Sequence, residues 1–195
     1  SNAFKHVQKS NMPSGDWILI STTENMSDGG VAALSVDNVF SSTYVTYRVI
    51  AQYRSSSGGV SPYWRWLNGG SAVTGSNYRY ACGRAQINSS STTAFLIDHS
   101  GWDQDKFQLG NNLSANNNSG NNQLDFTIFD PYKQKVTRTH IFGNKHYYRD
   151  DSIIRVGTFV GYYANDDSTT YEGFQLYMSS GNIENYSISV YGLVR

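Results

Sequence analysis

One cysteine, Cys82, is all the sequence offers for covalent cross-linking, so an internal disulfide is excluded. It falls in a strand-like stretch, where a small buried apolar residue is a commoner use of the thiol than a nucleophile. Charge is thin as well: 15 Lys+Arg and 15 Asp+Glu give a formal net charge of zero. A nucleic-acid binder concentrates a basic surplus to release counterions, and neither a surplus nor a local basic stripe is present, which argues against a nucleic-acid partner. No apolar run reaches the roughly 18 residues that a membrane-crossing helix needs, so no membrane span is expected. Amphipathic helix spacing is also missing, nowhere extending over three turns. Only three prolines occur; Pro62, in a strand-like stretch, suits an edge or a strand start because it donates nothing to a ladder.

What is plentiful is rings. Aromatic residues make up 14% of the chain, with 15 tyrosines, a composition that favours strands over helices. At 195 residues the chain suits one undivided all-β domain. A domain of that length buries roughly 70% of the surface its unfolded chain would expose, so it needs no staple. Ser1-Asn2-Ala3 reads as the remnant of a removed expression tag and is set aside. Residues 4–195 are expected to form a single β-sandwich domain, of a kind that can stand as the C-terminal module of a longer chain.

Alternation marks the strands. From Tyr44 to Arg54 the odd positions Val45, Tyr47, Val49, Ala51 and Tyr53 are apolar or aromatic, while Thr46, Arg48, Gln52 and Arg54 are polar, so the odd face is the buried one. Similar stretches at 17–21, 31–36, 60–67, 77–87, 93–98, 106–109, 124–129, 135–142 and 153–163 bring the expected count to about ten or eleven strands. The fold class they predict is an antiparallel two-sheet sandwich. Phe174, Leu176 and Met178 on one side of Ser180-Gly181-Asn182, and Tyr186, Ile188 and Val190 on the other, predict a closing antiparallel hairpin. The segment 111–122, NNLSANNNSGNN, has almost no apolar side chain and is expected to be a long loop outside the core.

Catalytic constellations are hard to find. Asp103 and Asp105 share a parity but read as solvated turn residues more readily than as a glycosidase pair. Asp98-His99-Ser100 has the residue types of a serine triad, yet neighbours on an extended chain point to opposite faces, so a polar turn before Gly101 is expected. His140 and His146 lack a third zinc ligand at a recognisable spacing. Asp166 and Asp167, in YANDDSTT, are the one candidate pair of oxygen ligands for calcium, and otherwise no cofactor is expected.

Binding through rings and polar side chains is better supplied. Sugar sites pair aromatic platforms with Asn, Asp or Arg side chains that form hydrogen bonds with the hydroxyl rim. Trp64 and Trp66 share one strand parity and are expected in the core, which turns Tyr63 and Arg65 outward. Trp102, placed in an expected loop, is a candidate platform, with a ring that plugs the sandwich end as the alternative. Asp103 and Asp105, like Tyr63 and Arg65, are candidate ligand-binding residues, and Tyr162 with Tyr163 form a second aromatic candidate.

Three stretches carry a resemblance. WRWLNGGSAVTGSNYRY (Trp64 to Tyr80), LDFTIFDPY (Leu124 to Tyr132) and GFQLYMSSGNIENYSISVYGL (Gly173 to Leu193) are similar, in order and spacing, to the strand and turn pattern of β-sandwich virion proteins of tailed bacteriophages. The resemblance spans roughly residues 60–195 and is carried by structural residues. One turn departs: where that family often has Asn-Gly-Asp, this chain has Asn68-Gly69-Gly70. The resemblance implies a concanavalin-like or jelly-roll, non-enzymatic module on a tail, fibre or capsid surface of the virion. It further implies a homo-oligomer, by default a trimer at fibre positions, that meets a host-surface glycan or other virion proteins. The alternative is a carbohydrate-binding module of a bacterial polysaccharide-active protein, which would be extracellular.

Overall fold

The structure, a computed structural model, describes residues 15–27, 29–87, 92–115, 122–132, 138–149, 153–165 and 169–194. The described residues form thirteen strands: β1 (Trp17–Asn25), β2 (Ala33–Val36), β3 (Thr46–Ser55), β4 (Pro62–Asn68), β5 (Ser71–Ala72), β6 (Tyr78–Ile87), β7 (Thr92–Gln104), β8 (Phe107–Gln108), β9 (Asn122–Phe129), β10 (His140–Tyr148), β11 (Ile154–Tyr163), β12 (Gly173–Met178) and β13 (Ile183–Leu193). They make an antiparallel two-sheet sandwich. The large sheet runs β1-β13-β3-β9-β10-β11-β6-β7, and the small one runs β2-β12-β4-β5 with β8 also on β4. Pro62 opens β4, where its missing N–H costs no ladder bond. Gly69 and Gly70 both have positive φ, 54° and 73°, as a tight two-residue turn between β4 and β5 requires.

The expected closing hairpin does not form. β12 pairs with β2 and β4 in the small sheet, whereas β13 pairs with β1 and β3 in the large one. Residues 179–182 therefore arch from one layer to the other. The alternation was sound, since Phe174, Leu176, Met178, Ile188 and Val190 are all buried. Period-two burial, however, tells which side chains face inward and is silent on which strand lies alongside. Leu113 also departs from the expected solvated loop: it is fully buried, bridging Val60 on one side and Arg149 on the other.

Rings fill the space where the small sheet covers the large one. The indole of Trp64 stacks on Phe174 at 3.9 Å and meets Phe126 edge-on at 4.8 Å; Trp66 stacks on Tyr171 at 5.5 Å. Such pairs contribute about 0.5–1.5 kcal/mol each beyond the area they bury. From the large sheet come Tyr47, Val49, Ala51 and Tyr53 of β3, the odd face that the sequence pointed to, with Leu124, Phe126 and Ile128 of β9. Cys82 is buried in the same cluster.

Toward β7 the inner face of the large sheet turns ionic. Asp98, its side chain only 2% exposed, accepts hydrogen bonds from Lys145 Nζ and Tyr147 Oη, both at 2.9 Å. Arg84 Nε lies 3.0 Å away, and Arg155 stands further off at 3.8 Å. The stretch Asp98-His99-Ser100 is thus not a turn but the middle of β7. Cys82 faces His99 while Gly83 faces Ile97, so Asp98 is the extra residue of a β-bulge. That irregularity suspends the alternation: His99 Nδ1 comes within 3.2 Å of the Asp98 carboxylate instead of pointing away from it. Ser100 is exposed, so no triad is assembled.

Candidate functional site

The outer face of the large sheet carries a surface depression beside Trp102. Register sets it up: on β11 and β6, Tyr162 lies opposite Arg79 and Val160 opposite Ala81, with all four on the face away from the core. β7 contributes Gly101, opposite Tyr80, and then Trp102. Arg79, Tyr80, Ala81, Gly101, Trp102, Val160, Gly161 and Tyr162 enclose about 290 Å³. Gly101 is required there, since a Cβ would run into the Tyr80 ring at 2.6 Å.

Arg79 organises the polar side. Its guanidinium lies 4.0 Å above the Trp102 ring, donates through Nε to Asp103 Oδ1 at 2.8 Å, and donates through Nη1 to the Tyr162 hydroxyl at 3.3 Å. Asp103 has a positive φ of 51°, which aims its carboxylate back at the arginine. Trp102 remains 66% exposed. One face of the indole is thus preorganised by a cation while the rest of the ring meets solvent, the arrangement an aromatic platform needs. Hydrogen-bonding groups sit at its edge, and His140, 5.8 Å from Tyr162, extends the row of rings.

The candidates named from sequence separate into two places. Trp102, Asp103 and Tyr162 come together in this depression, Trp102 from a strand rather than from a loop. Tyr163, the fourth aromatic candidate, does not: it is buried, packed edge-on against Tyr78 at 4.6 Å and Tyr171 at 5.6 Å. It is a core residue, since consecutive positions of one strand cannot both face out.

Tyr63, Arg65 and Asp105 meet on the outer face of the small sheet instead. Tyr63 pairs with Tyr177 at 5.4 Å. Arg65 covers the Tyr177 ring at 4.9 Å, and Lys106 covers the Tyr63 ring at the same distance. Both cations also bind the Asp105 carboxylate. Burial works to raise Asp105, but Lys106 and Arg65 outweigh it and hold the group below the usual carboxylate range. Their partners are already in place, which makes this patch the less open of the two. Asp103 and Asp105, despite shared parity, serve different arginines. Asp166 and Asp167 lie outside the described residues, and among the described residues no three His, Cys, Asp or Glu side chains converge as metal ligands.

Sequence reasoning missed Arg79 and the Asp98 cluster. Arg79 was findable in principle, as a cation on the outward parity of a strand that flanks Trp102. The Asp98 cluster draws on four strands, and no local pattern announces it. Burial works against the charged form of His99, yet the Asp98 carboxylate and Cys82 outweigh it and raise the imidazole to about 9. Geometry agrees: Nε2 faces the carbonyl oxygen of Gln108 at 2.8 Å and Nδ1 faces a carboxylate, so both nitrogens sit against acceptors. Asp98 in turn is held well below the carboxylate range, because His99, Lys145 and Tyr147 overcome the effect of its burial. This cluster is enclosed and ion-paired, which marks it as structural support rather than a ligand site. Comparison with protein families, curated proteins and solved structures gives no match to this chain.

Proposed function

We propose that the chain is a non-enzymatic module of a bacteriophage virion, on a tail, fibre or capsid surface, whose Trp102 depression takes a sugar ring of the host envelope. The observation that carries the binding half is the Arg79-ordered indole beside Tyr162 and Asp103. A pyranose lays its apolar face on such a ring and offers hydroxyls to the acceptors and donors at the rim. The virion half is supported by the resemblance of the three stretches between residues 64 and 193, which also makes a homo-oligomer, a trimer at a fibre position, the assembly proposed. Absence of turnover is supported by the state of the two candidate carboxylates. Each is engaged by an arginine, and Asp105 is held ionised, the opposite of what a general acid needs.

A glycan array tests the binding half. The expected result is capture of bacterial envelope sugars, with Trp102→Ala lowering the signal at least roughly tenfold, as loss of a central aromatic anchor does. Preference for plant or algal polysaccharides would instead move the reading to a carbohydrate-binding module of a bacterial polysaccharide-active protein. Light scattering at high concentration tests the assembly, and a strict monomer removes the fibre position.

A further inference from the structure

We infer that the ligand is an extended, uncharged oligosaccharide, held across the outer face of the large sheet by a second, polar subsite that lies beyond the Trp102 depression. This inference rests on the Trp102 site being a sugar site and extends it. The second subsite is a separate depression of about 440 Å³, formed by β9, β10, β11 and β6. Its polar lining is Gln123, Asp125, Asn144, His146 and Thr158.

Register places both depressions on one face. His146 lies between Gln123 and Val156, Asn144 between Asp125 and Thr158, Phe142 between Thr127 and Val160, and His140 between Phe129 and Tyr162. The β10 and β11 members are even-numbered positions on the outward parity, matched by the odd-numbered outward positions of β9, and Tyr162 then leads across to Arg79. From His146 to His140 is six residues, about 20 Å at a strand rise of about 3.3 Å per residue, room for roughly four linked pyranose rings. From Val160, on the wall of the Trp102 depression, the exposed apolar ground continues over Phe142: Val160 is 51% and Phe142 53% accessible. A sugar chain suits such a surface, with ring faces on Phe142 and Val160 and hydroxyls bonded at either end.

Two observations narrow the class. First, Gln123, Asn144, His146 and Thr158 have no side-chain hydrogen bond to other described residues, so their donors and acceptors are uncommitted. Second, the strip neutralises itself. Arg48 donates to both oxygens of Asp125 at 2.8 and 2.6 Å, and Arg79 donates to Asp103 at 2.8 Å. Arg138, at the rim over Tyr162, has an interaction of its own as well. A polyanionic chain would have to break these pairs to find a counter-charge, whereas an uncharged one bonds to the free amide, hydroxyl and imidazole groups without disturbing them.

The test uses the intact chain on an array holding neutral and acidic glycans from bacterial envelopes and plant walls, followed by calorimetry with fragments of the best neutral hit from one to six units. Affinity is expected to rise with length up to roughly four units and then level off, and Asn144→Ala with His146→Ala is expected to weaken a tetramer roughly tenfold while leaving the monosaccharide unchanged. Trp102→Ala is expected to weaken every length. If affinity ignores length, or the double variant leaves the tetramer unchanged while circular dichroism shows it folded, the second subsite is overturned and the Trp102 site stands. Preference for acidic chains overturns the uncharged class. Silence of the whole array overturns the Trp102 site itself.

Discussion

The inner face of the large sheet is covered in two ways. Toward β3 and β9 it meets the stacked rings of Trp64, Trp66, Phe174 and Tyr171, while toward β7 it holds Asp98 among Lys145, Arg84, Arg155 and His99. The ring end gains from every Å² removed from water and needs no single partner. The ionic end gains only while its members are all present, because a buried charge is tolerable solely through its neighbours. Two regions of one core are therefore expected to fail by different rules.

Removing one member should hurt both ends most. Asp98→Ala leaves Lys145 and Arg155, both almost fully enclosed, without their carboxylate, and a loss of about 3–5 kcal/mol in urea unfolding is expected. Trp64→Ala opens a large void and should lose a similar amount, about 3–5 kcal/mol. The second substitution separates them. Adding Lys145→Met to Asp98→Leu should return at least about 1 kcal/mol, since the uncompensated ammonium is gone. If it returns nothing, charge compensation is not what holds that end.

Acidity and alkalinity sharpen the contrast. His99 is raised to about 9 in the folded state, so its contribution is fully present below the unfolded value of about 6.5 and is lost as pH rises through about 9. Asp98 is depressed, so its contribution is present above about pH 4 and is lost as pH falls toward its lower folded value. Unfolding free energies at pH 6 and pH 9, the latter below the range in which the tyrosines of the unfolded chain ionise, should differ by an amount on the order of 1–3 kcal/mol that His99→Gln largely removes. The indoles and Phe174 do not titrate, so Trp64→Ala should leave that difference in place. The smallest expected effect lies at the surface: Arg79→Ala should leave the urea unfolding midpoint nearly unchanged while it disorders the Trp102 platform. A marked drop in that midpoint would mean that Arg79 serves the fold.

How far the sequence reached can be traced along particular strands. In β3 one parity is apolar and the other polar, and the buried side follows at once. β11 misleads: its outward parity holds Ile154, Val156, Val160 and Tyr162, while its inward one mixes Phe159 and Tyr163 with Arg155, Gly157 and Gly161, so hydrophobicity summed along the strand does not favour the buried face. That is why Tyr162 and Tyr163 could not be told apart, although only one of two neighbours can face out. Trp102 was marked as a platform because it was expected in a loop between Gly101 and Asp103; it lies on β7, and its cation comes from another strand. Strand partners were the least legible feature, as β12 and β13 show: both sheets press on one core, and their side chains alternate alike.

Among the described residues β1 pairs only with β13 and β2 only with β12, which sets an order of events during synthesis. Of the described strands, β1 and β2 have no ladder to join until β12 and β13 have been made. Trp17, Leu19 and their neighbours therefore stay unpaired until β13 has been made. Closure then comes late and joins widely separated segments, a topology that folds in milliseconds to seconds rather than microseconds.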